Sequence, residues 1–119
     1  MWQRITGGKE NSQYSHVEFY HNLTLYGCSQ YEGEVRAKRA VISAENWDFF
    51  EVPLTIEQVE MFYDTTSGMK YDWVAIFLTH LLPLSVRSKN KYTCSHWCAM
   101  VLGFDKPHEY SPQELIAEL

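Results

Sequence analysis

The 119 residues are 45% hydrophobic and 15% aromatic, enough apolar material for one continuous core, and a single domain over 1–119 is expected. A formal net charge of −5 argues against nucleic acid as a partner, because the one basic cluster, Arg36, Lys38 and Arg39, is small. Three cysteines, an odd number, and a start without a charged, then apolar leader point to a reducing cytoplasm. The longest apolar run, Trp73 to Leu84, is interrupted by Thr79 and His80 and stopped by Pro83, so no integral membrane association is expected.

In chain order, Met1 to Gln13 contains Thr6-Gly7-Gly8-Lys9-Glu10-Asn11-Ser12, a run of turn formers that predicts a flexible loop. Tyr14 to Tyr20 alternates as a strand, with Tyr14, His16, Glu18 and Tyr20 on one face and Ser15, Val17 and Phe19 on the other. A turn at His21-Asn22 leads to a second strand, Leu23 to Cys28. Tyr31-Glu32-Gly33-Glu34 turns again into a third, from Val35 to Ile42. Short links between consecutive strands predict an antiparallel meander or small barrel, and after Asn46-Trp47-Asp48 a short fourth strand, Phe49 to Val52, ends at Pro53.

Helices follow. Thr55 and Gln58 form a capping-box pattern ahead of the stripe Ile56, Val59, Met61, Phe62 and Tyr63, with Gly68 as terminator. Asp72 caps an apolar helix, Trp73 to Leu82, and a polar loop runs from Leu84 to Tyr92. Thr93 then caps a helix that Gly103 ends, and Ser111-Pro112-Gln113-Glu114 opens a last helix through Leu119. The expected class is therefore α+β, the sheet packed against three to four helices.

Cys94 falls at the first position of its helix, where unpaired backbone N–H groups and the positive end of the helix dipole favour thiolate over thiol. Cys98, one turn on among Ala99, Val101 and Leu102, reads as a small buried hydrophobe. A nucleophilic cysteine needs a base. Of five histidines, His16 sits in a strand that can aim its ring; His21 is in a turn, His80 on an apolar helix, and His108 in a loop, while His96 projects roughly 200° round the helix from Cys94. A packed, unreactive Cys94 and a partly exposed strand histidine are the plain alternatives, and contact between sulfur and imidazole decides between them. Zinc binding by Cys94, Cys98 and His96 or His108 fits poorly, because the x3 spacing of the cysteines is not the usual two-residue knuckle, and no metal or other cofactor is expected.

Several patches share a pattern: Ser15-His16-Val17-Glu18 on an early strand, Gly33-Glu34-Val35-Arg36-Ala37-Lys38-Arg39 on a later one, Lys70-Tyr71-Asp72-Trp73, Cys94-Ser95-His96-Trp97-Cys98-Ala99, and Ser111-Pro112 with Leu115. Together they resemble the circularly permuted papain-like enzymes of the NlpC-type amidase superfamily, in which the histidine strand precedes the cysteine helix. The resemblance implies a permuted papain-like domain with Cys94 as nucleophile and His16 as base. Glu18 is the third, orienting residue on this reading, with Ser29 or Gln30 as alternatives on the neighbouring strand. Two positions after the nucleophile, where an acidic residue is expected, the chain has His96. The implied activity is hydrolysis of an amide or peptide substrate through a thioester, including cell-wall peptides or isopeptides. The backbone N–H of Cys94 helps hold the oxyanion, and Tyr14, Tyr20, Tyr92 and Trp97 are candidates to line the cleft. The superfamily also contains lipid acyltransferases, and an inactive papain-like binding module is the rival from another class.

Overall fold

In the computed structural model, residues 3–10, 13–29, 31–42, 47–72 and 92–119 are described. The fold is α+β. Strands β1 (Gln3–Glu10), β2 (Gln13–His21), β3 (Thr24–Ser29), β4 (Glu34–Arg39) and β5 (Trp47–Val52) form one sheet in the order β4-β3-β2-β1-β5, antiparallel at every pairing. Consecutive strands from β1 to β4 make the meander, and β5 returns to pair with β1. Among the described residues β4 and β5 are the two outer strands and no pairing joins them.

The first correction is β1. Residues expected to form a loop lie in the sheet between β2 and β5, paired on both sides, so that Gly7 faces Val17 and Asp48 while Gly8 faces His16 and Trp47. Glycines weaken a strand by lacking side chains, and here the two ladders supply what local preference does not. Trp47 and Asp48, read as preceding the fourth strand, are part of β5. The third predicted strand stops at Arg39 instead of Ile42. The predicted helix from Trp73 to Leu82 and most of the loop after it lie outside the described residues.

Helix α1 (Ile56–Thr66) carries the expected capping box, Thr55 and Gln58 bonding each other's backbone N–H. Helix α2 (Cys94–Leu102) is capped by the Thr93 side chain and ended by Gly103 in the left-handed region, φ 76°. After a 3-10 turn (Pro107–Glu109), α3 (Pro112–Ala117) repeats the capping-box device with Ser111 and Glu114. The core joins α2 to the sheet. Trp97, fully buried, meets Phe19 of β2 and Phe62 of α1 edge-on or tilted, with ring centroids 6.1 and 5.4 Å away, and donates its indole N–H to the Thr66 hydroxyl at 2.8 Å. Val17, Val35, Val59 and Leu115 complete the same cluster.

The β2–β3 hairpin turns through Asn22 and Leu23, both with positive φ, 48° and 59°. Such a turn matches the twist of the strands but asks for residues that tolerate the left-handed region, which Asn does and Leu does not. Leu23→Gly is expected to raise unfolding free energy by about 0.5–1 kcal/mol, since left-handed backbone costs a non-glycine residue roughly 1–2 kcal/mol and glycine's extra chain entropy returns part of that. Denaturant unfolding of the two proteins measures it, and an unchanged or lower midpoint contradicts it.

Candidate active site

Thr93 ends an extended segment and accepts the His96 backbone N–H at 3.2 Å, so the helix starts at Cys94 as its cap dictates. Trp97 and Ala99, both wholly buried, anchor α2 against the sheet and fix the sulfur's position.

His16 owes its aim to an irregularity in β2. Gly8 pairs with His16 and the next residue, Lys9, with Tyr14, so Ser15 is an extra residue in β2. A bulge of this kind re-aims neighbouring side chains. It corrects the simple alternation read from the sequence: Tyr14 leaves the His16 face, its ring packing edge-on to Phe50 at 6.0 Å and its hydroxyl donating to Asp48, residues that share the side of Phe19 and Val17. Beyond Gly8, which has no side chain to intervene, the His16 ring meets Trp47 edge-on with centroids 6.1 Å apart.

The imidazole links the two candidates. It hydrogen-bonds the Cys94 sulfur, and its Nε2 lies 2.9 Å from Glu18 Oε2, leaving Nδ1 as the nitrogen for the thiol. Burial works against a charged imidazole, yet the Cys94 charge and hydrogen bond, followed by those of Glu18, push its pKa up to about 10. Glu18 is itself 1% exposed. Burial favours its neutral form, but hydrogen bonds from His16 and Arg36 prevail and hold the carboxyl below its ordinary range. The structure thus brings the side chains of Cys94, His16 and Glu18 together, His16 between the other two. Of the alternatives for the third position, the Ser29 hydroxyl is taken up by Glu32, and Gln30 lies outside the described residues.

The other thiols are differently placed. Cys28 donates its S–H to the Tyr92 carbonyl at 3.1 Å and Cys98 to the Val17 carbonyl at 3.6 Å, and burial pushes both pKa values up. Both are tied up as protonated donors. His96 is buried, its ring 4.7 Å from Tyr92 and 6.2 Å from exposed His108 by centroid. Trp97 and Tyr92 are buried in the core cluster, which also holds Cys94 and Tyr71. His21 ends β2, Tyr20 donates to the Ala40 carbonyl at 3.0 Å, and His80 lies outside the described residues. Among the described residues no group of three His, Cys, Asp or Glu side chains is disposed to hold a metal ion, and no helix is long and apolar enough to cross a membrane.

One site residue received no role in the sequence reading. Tyr71 is buried, which raises its pKa, and its hydroxyl hydrogen-bonds both the backbone and the sulfur of Cys94. Long-range pairing puts it there: its N–H donates to the Gly33 carbonyl at 2.8 Å, and it forms a parallel bridge with Tyr92, two residues before Cys94. Its position in Lys70-Tyr71-Asp72-Trp73 was the available signal.

Comparison with family models, curated proteins and solved structures gives no match.

The sign of the His16 shift makes a pH prediction. A group whose pKa rises from 6.5 to about 10 on folding adds stability that is complete below 6.5 and lost as the pH climbs through 10. Glu18→Gln removes a full negative charge from the ring and is expected to lower the His16 midpoint by about 1–2 pH units. Histidine-ring NMR titration checks this; an unmoved midpoint would show that Glu18 does not hold the imidazolium.

Proposed function

We propose that the chain is a cysteine-dependent hydrolase of amide or peptide bonds on a permuted papain-like domain. The observation that carries the reading is one contact: the imidazole of an early strand hydrogen-bonded to the sulfur of Cys94 at a helix start, with Glu18 on the ring's other nitrogen. His16 takes the thiol proton, and the sulfur attacks the carbonyl carbon. The Cys94 backbone N–H, which the Tyr71 oxygen accepts in the resting site, turns to the oxyanion as that hydroxyl moves aside, a donor of this kind being worth about 100-fold in rate. The intermediate collapses, the C–N bond breaks, and the leaving amine takes the proton held by His16. Water then gives a proton to His16 as it attacks the thioester, releasing the carboxylic acid and returning the proton to the sulfur. Glu18 stays ionised throughout and holds the ring in register.

The supporting contrast is with the other two cysteines, which give their S–H to backbone carbonyls. Iodoacetamide at neutral pH, with the label located by mass spectrometry, is expected to modify Cys94 at least ~100-fold faster than Cys28 or Cys98. Cys94→Ala and His16→Ala should each abolish release of amine from a pool of peptide and amide substrates. Comparable labelling of all three thiols removes the hydrolase reading and leaves a binding module; transfer of the acyl group to an added amine or alcohol in preference to water reassigns the site as an acyltransferase.

A further inference from the structure

From the sulfur outward, charged groups of the site alternate in sign across the sheet. The His16 imidazole hydrogen-bonds the Cys94 sulfur and lies 2.9 Å from the Glu18 carboxylate, whose other oxygen accepts from the Arg36 Nη1 of β4. Arg36 Nε then lies 3.5 Å from Glu32 Oε2, and Lys38 Nζ 3.2 Å from Glu32 Oε1. Burial falls away along this row, from side-chain exposures of 2% at Glu18 and 14% at Arg36 to 32% at Glu32 and 58% at Lys38. Water screens the outer pair, so Arg36 is the last charge that acts on the site at low dielectric.

Arg36 and Glu18 stand on strands that are not neighbours, since β3 runs between them. The residue of β3 opposite Arg36 is Gly27. A Cβ there would lie 3.0 Å from Glu18 Cγ and 3.2 Å from its Oε1, so any larger residue makes Glu18 give by a few tenths of an ångström where the carboxylate and the guanidinium meet over the strand.

We infer that Arg36 is a positioning residue of the Cys94–His16 pair, acting through Glu18 across the gap that Gly27 leaves in the sheet. The inference rests on the hydrolase reading of the same site. With Arg36 present, thiolate, imidazolium, carboxylate and guanidinium form a neutral group of four. Without it, the remaining three carry a net negative charge in buried surroundings, and the sulfur keeps its proton to a higher pH. The groups that face Glu18 are His16 of β2, Cys28 of β3, Arg36 of β4 and Cys98 of α2; those that face His16 are Cys94 and Glu18. Among these described residues Arg36 is the one whose positive charge does not titrate in the working range.

The test is the pH dependence of Cys94 alkylation by iodoacetamide between about pH 5 and 9, with circular dichroism reporting that each variant is folded. Arg36→Met is expected to move the acid limb up by about one pH unit, cutting the rate at pH 6 roughly tenfold, and Arg36→Lys to recover part of that shift. Glu32→Gln, at the screened end, should leave the limb in place. Gly27→Ala keeps every charge, displaces Glu18, and should shift the limb in the same direction; it decides the question if Arg36→Met does not fold. A wild-type profile in folded Arg36→Met or Gly27→Ala, with Cys94 still far faster than Cys28 and Cys98, overturns the role of Arg36 and leaves the hydrolase reading standing. Slow wild-type Cys94 overturns both.

Discussion

A carboxylate removed from water must be paired, and Glu18 is the group on which this molecule's centre depends. It lies on β2, 1% exposed, with His16 on one oxygen and Arg36 on the other. Taking a charge out of water costs several kcal/mol, and removing one partner from such a pair typically costs about 3–5 kcal/mol because the survivor stays buried and uncompensated. The ladders of β2, β3 and β4 set how far apart these groups stand, and the pairing holds the imidazole against Glu18. Fold and chemistry share a single contact, which makes the geometry of His16 as rigid as the sheet.

Magnitudes limit what the helix start can do for Cys94. A helix start offers roughly 0.3–1 kcal/mol to an adjacent negative charge, less than the ~1.4 kcal/mol of a single pKa unit. Helix position alone does not make a nucleophile. Side-chain contact sets the three thiols apart: Cys94 hydrogen-bonds the His16 imidazole, whereas Cys28 and Cys98 have backbone carbonyls. The helix contributes mainly placement. Its cap sets where the first turn begins, and Trp97, wedged between Phe19 and Phe62, sets where that turn lies on the sheet.

The features legible in the sequence were those written locally. Thr93 before Cys94, Thr55 with Gln58, and Ser111 with Glu114 are caps whose partners lie within one turn, and all three form as read. His16 and Glu18 share a strand face at a spacing of two, so their meeting needed only the alternation. What escaped was set by residues far along the chain. Tyr71 reaches Cys94 because of pairings with Gly33 and Tyr92, and nothing in its own neighbourhood specifies those. Arg36 read as part of a basic surface cluster with Lys38 and Arg39, because strand alternation says which face a side chain takes but not that a neighbouring strand has left a gap there.

The glycines explain the largest misreading. Gly7 and Gly8 in a stretch with Lys9, Glu10 and Asn11 carry the composition of a loop, since glycine's commonest use is backbone freedom. In a sheet it has a second use, close approach of what lies on either side. Gly8 lies between His16 and Trp47, and Gly27 between Glu18 and Arg36, so β2 is flanked on both sides by a position with no side chain. Each glycine weakens its strand by about 0.5–1 kcal/mol relative to alanine. A ring contact lies across Gly8 and a buried ion pair across Gly27, where a Cβ would crowd Glu18. Loop glycine and furrow glycine look alike one strand at a time; they separate only when the partners on both neighbouring strands are known, and for that reason the polar row across this sheet emerges from tertiary pairing and not from any run of residues.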